Sequence, residues 1–353
     1  MSGGITQLVA IGAQDVHLTG NPEVSFFRST YKRHTNFSMT TERQVIQGTI
    51  AANNMSSIRF ERKGDLMGYV YLSAFNGTQS VPIKWSSVIN KVQFLIGGQV
   101  IDEQDYTFSS NIAPRVLAQN LSKSESGILP IDATSSFYPL HFFFCENWQS
   151  ALPLIALQYH DVELRIYWGT DVTTPTGYSG TMKYDCYTNF VYLDADERSI
   201  LANQSQNILM YQVQKSIASG SSKVQELTLN HPIKFLTSYN VTGTSLGLFS
   251  QANKIKLQLN GTDVADYKYA SPHFTSVISY YHTPYTADNA DDLFVFPFCI
   301  DTSKLQPTGS LNFSRLDSAR IISDSENITD DVYAVNYNVL RIQSGMGGLV
   351  YAN

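Results

Sequence analysis

Few residues in this sequence have the types and spacing for chemistry. His160 and Asp161 are adjacent, like the base and orienting acid of a nucleophilic triad. Val162, Leu164 and Ile166 alternate behind the pair as one face of a strand, so His160 reads as a strand-edge histidine. Asp194 and Asp196 fit the first and third positions of a calcium loop, but Arg198 stands at the fifth and no glycine at the sixth. Asp194 with Glu197 three residues later is instead a capping box, opening a short linker helix within Leu193–Gln204. Gly345-Met346-Gly347-Gly348 is glycine-dense enough to suggest a phosphate cradle. It lacks a Gly-Lys-Ser/Thr ending and has only five residues behind it, too few for the helix that would hold the anion. A flexible C-terminal strand or tail is the better reading.

The remaining candidates are scattered. Cys145, Cys186 and Cys299 form no CxxC pair and read as free, buried thiols. The histidines lie far apart, at His17, His34, His141, His160, His231, His273 and His282; His231-Pro232 reads as a turn into Ile233–Leu236. The acidic pairs Asp291-Asp292 and Asp330-Asp331 fall in loop-like contexts. No catalytic, cofactor-binding or metal-ligating residue is assigned. Tyr280-Tyr281 and Tyr285 offer rings for stacking on sugar, which keeps open an alternative: a carbohydrate-binding or hydrolytic protein built from two jelly rolls.

The elements that would position these residues are strands. The 353 residues suffice for two domains, and a composition with 21 Tyr, 19 Phe and only 15% charged residues suits pleated, half-buried surfaces. A net charge of −6 argues against a nucleic-acid coat, which needs cations to displace phosphate counterions. The segment MSGGITQLVAIGA lacks a basic n-region, glycine stands at position 3 rather than 2, and no run of about 18 apolar residues occurs. The expectation is a soluble, intracellularly made protein with no signal peptide, myristoyl group or membrane span.

The chain also repeats itself. Val92, Phe94 and Ile96 alternate with polar or flanking residues and run into Gly97-Gly98; Ile255, Leu257 and Leu259 do the same into Asn260-Gly261. Both read as a strand entering a tight hairpin, at a constant offset of 163 residues. A second set, Phe144-Cys145 with Phe298-Cys299, Pro153 with Pro307 and Leu157 with Leu311, keeps an offset of 154. Arg165-Ile166 then aligns with Arg320-Ile321 after a one-residue slip. The reading is a duplicated domain, with two unrelated β-domains as the alternative. Many short strands broken by Gly, Asn, Ser and Pro point to antiparallel architecture, though periodicity alone does not separate a jelly roll from another sandwich.

The words GAQDV (Gly12–Val16), LTGNP (Leu18–Pro22), Phe26-Phe27 and YKRHTNF (Tyr31–Phe37) resemble the N-terminal signature of the major capsid proteins of nucleocytoplasmic large DNA viruses, the chlorella-virus and mimivirus type. The resemblance continues in order through ALPLIALQYHDVEL (Ala151–Leu164), LNHPIKFL (Leu229–Leu236), IKLQLNGTD (Ile255–Asp263), QPTGSLNFSRLD (Gln306–Asp317) and NYNVLRIQSGMGGLVYAN (Asn336–Asn353). It implies an all-β fold of two tandem antiparallel eight-stranded jelly rolls with short linker helices. The expected division is an N-terminal arm over 1–25, a first jelly roll over 26–199, a linker over 200–210 and a second jelly roll over 211–353. The implied function is structural: a homotrimer, pseudo-hexagonal in outline, tiling an icosahedral virion shell assembled in the host cytoplasm. The implied partners are neighbouring capsomers, penton and minor capsid or cement proteins and an internal membrane surface, with no specific nucleic acid.

Two sets of surface residues follow. Arg28, Lys32 and Arg33 make the N-terminal region basic and are candidates for contacts on the inner face of the shell; a solvated face or inter-subunit ion pairs is the plainer reading. Of nine Asn-x-Ser/Thr triplets, Asn76 and Asn260 fall at turns, both in Asn-Gly-Thr, and are the candidate glycosylation sites.

Overall fold

The computed structural model describes residues 3–123, 134–175, 178, 182–241, 243–284 and 292–351. Tyr285 and Asp291 lie outside them. The chain divides into two compact units, residues 1–36 and 37–353.

The first unit carries two short helices, α1 (Gly3–Val9) and α2 (Val16–Thr19). Asp15 builds the turn between them, its carboxylate accepting from the Gly12 N–H at 2.8 Å. Every described residue of this unit is exposed, Phe26 and Phe27 almost wholly. The unit has no core of its own. It extends eleven residues beyond the arm expected from sequence, because the first strand begins only at Phe37.

The second unit is two barrels of the same topology. In the first, β1 (Phe37–Gln44), β9 (Lys183–Leu193), β3 (Leu66–Phe75) and β6 (Phe137–Pro139) form one sheet in that order. The opposing sheet runs β2 (Met55–Arg59), β8 (Val162–Trp168), β4 (Ile89–Ile96), β5 (Gln99–Asp105). In the second barrel, β10 (Gln206–Ser216), β19 (Val332–Gln343), β12 (Pro232–Tyr239) and β16 (Leu293–Pro297) repeat the first sheet. The other sheet is repeated by β11 (Val224–Glu226), β18 (Ala319–Ser323), β13 (Lys254–Leu259) and β14 (Thr262–Asp263), with β15 (Lys268–Tyr269) also on β13. All pairings are antiparallel, and each barrel is an eight-stranded jelly roll.

Local chemistry sets these elements. The β8 side chains alternate strictly between buried and half-buried, the mark of a strand with one face on a core. The two hairpins read from the sequence have positive φ at both turn positions: Gly97 (57°) and Gly98 (82°), Asn260 (49°) and Gly261 (78°). That is the mirror-image turn whose twist matches paired strands, and asparagine and glycine are the residues that tolerate it. Between the barrels, Asp194 caps α5 (Ala195–Asn203) by accepting from the Ala195 N–H at 2.8 Å, and β10 starts three residues after the helix. Helix and strand thus share the 200–210 stretch read as linker.

The ladders refine the duplication. Leu257 pairs with Ile321 as Phe94 pairs with Leu164, and Leu259 with Ala319 as Ile96 with Val162. The 163-residue hairpin offset is therefore a true structural register. The second set of sequence matches is not. Arg165-Ile166 sits two residues out of register with Arg320-Ile321, since Leu164 is the counterpart of Ile321. Phe144-Cys145 lies in the short helix α4 (Phe143–Glu146), while Phe298-Cys299 follows the end of β16. Pro153, in β7 (Leu152–Pro153), corresponds to Asn312 in β17 (Leu311–Asn312), because each short strand pairs with the start of the equivalent neighbour, β3 or β12. Connections of unequal length broke the alignment there.

Gly97 and Gly98 share the left-handed backbone but not the surroundings: a Cβ on Gly97 would lie 2.6 Å from the His160 ring, whereas one on Gly98 meets nothing. Gly98→Ala should cost about 1–2 kcal/mol from backbone strain alone. Gly97→Ala should cost measurably more in urea denaturation; equal losses would show that the His160 ring is not held in place.

Candidate assembly surface

The surface that organises this molecule begins with strand burial. An antiparallel sheet usually shows one face to water and alternates accordingly. Neither β12 nor the first half of β19 alternates: seven successive residues are buried in each. Val332, Ala334, Leu236 and Phe294 point into the second barrel's own core. Tyr333, Val335, Phe235, Leu293 and Val295 belong to a different apolar cluster, continuous with the core of the first barrel. One sheet therefore serves two cores.

The first barrel covers that outer face with the segment after β5. A π-helical turn (Thr107–Ile112) runs into α3 (Ala113–Val116). Phe108 packs on Tyr333 with ring centroids 5.9 Å apart, and the Arg115 guanidinium lies 5.4 Å from the Tyr239 ring, a cation–π distance. Polar bonds fix the register of one barrel on the other. The Val213 N–H donates to Asp102 Oδ1 (2.9 Å), Gln212 Nε2 donates to the Ile101 carbonyl, and Tyr211 OH to the His141 carbonyl (3.1 Å). Asp105 Oδ2 accepts from Lys215 Nζ (2.9 Å) and Tyr333 OH (2.7 Å). Burial opposes the charge on Lys215, but its bonds to Asp331 and Asp105 outweigh that and hold its pKa above the ordinary value. Burial pushes the Asp102 carboxyl up to about 7 despite the donors around it, and lowers Lys234 to about 8. Lys234 Nζ is satisfied by the carbonyls of Thr302 (2.7 Å) and Lys304 (2.9 Å).

The sequence candidates fall around this junction rather than at a reaction centre. His160 lies in the turn before β8, not on the strand, and its Nδ1 is 2.9 Å from the Gly347 carbonyl, donating to it in the Nδ1–H tautomer. Asp161 points elsewhere, to Arg59 (2.6 Å) and Arg62 (3.8 Å). The glycine-dense segment is the strand β20 (Met346–Leu349), hairpinned onto β19 through Ser344-Gly345. Its glycines permit close approach to the first barrel: a Cβ on Gly345 would lie 2.6 Å from Tyr159, and one on Gly347 2.6 Å from Leu157. The phosphate-loop look has a packing cause.

Sequence reading missed the most enzyme-like cluster. His141 Nδ1 lies 2.7 Å from Glu146 Oε1, beside Cys145, on a cavity of about 640 Å³ also lined by Tyr69, Tyr71 and Trp148. Burial raises the Glu146 pKa, but His141 and Lys123 outweigh it and hold it below the usual value. Burial pushes the Cys145 thiol up to about 12, so the thiolate a nucleophile requires is not populated near neutrality. The cluster closes a wall of the first barrel. Cys186 and Cys299 are buried and, like Cys145, unpaired. Among the described residues no three His, Cys, Asp or Glu gather as metal ligands, and no helix is long and apolar enough to cross a membrane.

The surface candidates are placed as follows. Arg28, Lys32 and Arg33 are exposed in the N-terminal unit. Asn76 Oδ1 accepts from the N–H groups of Thr78 and Gln79 (both 3.0 Å), and Asn260 Oδ1 from those of Asp317 (2.9 Å) and Ser318 (3.1 Å). Both asparagines build the turns they occupy. Tyr280 and Tyr281 are about three-quarters exposed.

Residues 25–194 match the family model described as the major capsid protein N-terminus, and residues 197–348 match that of the large eukaryotic DNA virus major capsid protein. The junction between the two matches falls at the start of α5. The chain is 35% identical to the major capsid protein of Pyramimonas orientalis virus and 30% identical to that of Paramecium bursaria Chlorella virus 1, each alignment covering 100% of both chains. Among solved structures it resembles PBCV-1 VP54 (TM-score 0.72, 24% identity, covering 93% of this chain and 100% of that one). It also resembles the Faustovirus major capsid protein (TM-score 0.60, 12% identity, 94% of each).

Asp102 makes the barrel junction sensitive to pH. Its folded pKa of about 7 lies above the ordinary 3.8, so the folded state holds the extra proton between those values. Its contribution is fully present below about 4 and lost as pH rises to about 7. Urea denaturation of Asp102→Asn should show that slope removed, a difference of about 2–4 kcal/mol between pH 4.5 and 8. Parallel pH profiles for the two proteins would refute the assignment.

Proposed function

The chain belongs to the major capsid protein family of large eukaryotic DNA viruses, so it is a structural protein of the virion capsid and not an enzyme, and we propose that it acts as a homotrimeric, pseudo-hexagonal capsomer. The observation that carries this reading is that two barrels of identical topology sit in one chain through an unlike contact: the segment after β5 of one lies on a sheet face of the other. Such a heterologous contact, repeated between chains, either closes into a ring or runs on as a filament. Closure after three chains places six like barrels around one axis, an outline that tiles an icosahedral lattice.

In this reading the capsomers meet neighbouring capsomers, pentons and minor capsid or cement proteins, and they assemble in the host cytoplasm. The N-terminal unit is the fastening. Its exposed apolar residues, Leu8, Leu18, Phe26 and Phe27 among them, have no core within the unit, and a chain that leaves such groups bare gains by burying them against a partner. Arg28, Lys32 and Arg33 add positive charge suited to acidic minor proteins or to anionic lipid on the inner side of the shell.

Light scattering on the purified chain should give about 120 kDa, three times the 39.4 kDa monomer, with a hexagonal outline in negative stain. A monomer at micromolar concentration would refute the capsomer. Deleting residues 1–25 should leave the chain trimeric while abolishing ordered arrays; loss of the trimer on deletion would overturn the fastening role.

A further inference from the structure

The two barrels expose equivalent faces to different degrees, and the difference identifies the seat of the contact between copies. In the first barrel Tyr71 pairs across the sheet with Tyr187 and Pro139, and Ser73 with Phe137. In the second, Phe235 pairs with Val335 and Pro297, and Thr237 with Val295. Tyr71, Tyr187 and Phe137 are thus the counterparts of Phe235, Val335 and Val295. The second-barrel residues are wholly buried under the first barrel, whereas their first-barrel counterparts stay partly exposed beside the 640 Å³ cavity. Among the described residues nothing covers that face.

The covering element shows the converse pattern. In the first barrel it is the π-helical turn and α3, where Phe108, Ile112, Arg115, Val116 and Leu117 are all buried. The second barrel has the same device after its hairpin, a π-helical segment (Ala270–Val277) leading into α6 (Ile278–His282). There Tyr280 and Tyr281 stand 75% and 74% exposed, their rings edge to face at 5.0 Å. One chain therefore carries a complete joint between its barrels and the two unused halves of another.

We propose that Tyr280 and Tyr281 of one copy seat on the Tyr71–Tyr187–Phe137 face of a second copy, closing the ring by the joint already made inside the chain. The occupant of the cavity is a second copy of this chain, and not a sugar or small ligand. The inference rests on the trimer reading and assigns its contact. Both halves suit a contact that forms after folding, because tyrosine buries large ring area at little conformational cost while its hydroxyl tolerates water before assembly.

The test replaces Tyr280 with photoreactive p-benzoylphenylalanine in a mixture of isotope-labelled and unlabelled chains, so that cross-links between copies are told from those within one. The expected result is a trimer whose mixed-label cross-links fall on residues 69–73 or 137–148. A trimer that cross-links elsewhere overturns this contact and leaves the trimer standing, whereas an unmodified chain that stays monomeric overturns both. Independently, the double variant Tyr280→Asp with Tyr281→Asp should keep its circular dichroism spectrum, because both side chains are solvent-facing in the single chain, yet shift from about 120 to 39.4 kDa. Its persistence as a trimer refutes the proposal.

Discussion

The constraint on which the rest depends is that one antiparallel sheet of the second barrel is buried on both faces. Strands β10, β19, β12 and β16 line their own barrel with Val332, Ala334, Leu236 and Phe294, and rest against the other with Tyr333, Val335, Phe235 and Val295. Each such side chain removed from water contributes about 1.5–3 kcal/mol. The barrels are thereby one cooperative body rather than beads on a linker, and a tile needs this, because freely hinged barrels could not hold a fixed outline. The linker helix α5 has no buried residue and adds only an exposed tie to the first barrel, the Arg198–Asp65 ion pair (3.1 Å).

Hydrophobic contact alone would let two such surfaces slide. Directional bonds fix the offset: the Val213 N–H on Asp102, Tyr333 and Lys215 on Asp105, and Gln212 on the Ile101 carbonyl and under Asn338 (2.8 Å). Buried polar groups cost stability unless satisfied, so an arrangement that misplaces them is penalised more than the correct one is rewarded. Asp102 shows that cost directly in its raised pKa. Around this junction β20 adds a second clamp, its glycines admitting Leu157 and Tyr159 of the first barrel and its Gly347 carbonyl meeting His160.

Short-range features were readable in the sequence. Asn260-Gly261 and Gly97-Gly98 specify their turns through their own backbone freedom, and Asp194 specifies the start of α5, without reference to any distant residue. The family signature gave the jelly-roll pair outright. What depended on distant partners was not readable: His160 sits 187 residues from the Gly347 it meets, and its adjacency to Asp161 suggested a dyad that the fold pulls apart. The His141–Glu146 pair was missed because its spacing of five residues matches no catalytic motif. One available signal was overlooked. The run VYAV (Val332–Val335) in β19 does not alternate between apolar and polar residues, which in an antiparallel strand already says that both faces are covered.

Duplication followed by divergence left a chemical record on the two equivalent sheet faces. The face closed within the chain carries the apolar Phe235, Val335 and Val295 beside Tyr333, whose hydroxyl is bonded to Asp105 (2.7 Å). The face left open is Tyr71, Tyr187 and Phe137, bordered by Arg43 in an ion pair with Asp185 (2.6 Å). A contact formed during folding never faces water again, so aliphatic side chains can dominate it wherever its polar groups are satisfied. A surface that waits in solution for another copy must stay wetted until that copy arrives, because a bare aliphatic patch of that size would join any similar patch it met. Tyrosine meets both demands, with ring area for the docked state and a hydroxyl for the free one. The same reasoning accounts for Tyr280 and Tyr281, third and fourth residues of α6, standing exposed where Arg115 and Val116, third and fourth of α3, are buried. The composition of each face thus records when in the life of the molecule it is covered: during folding for the second barrel, during assembly for the first.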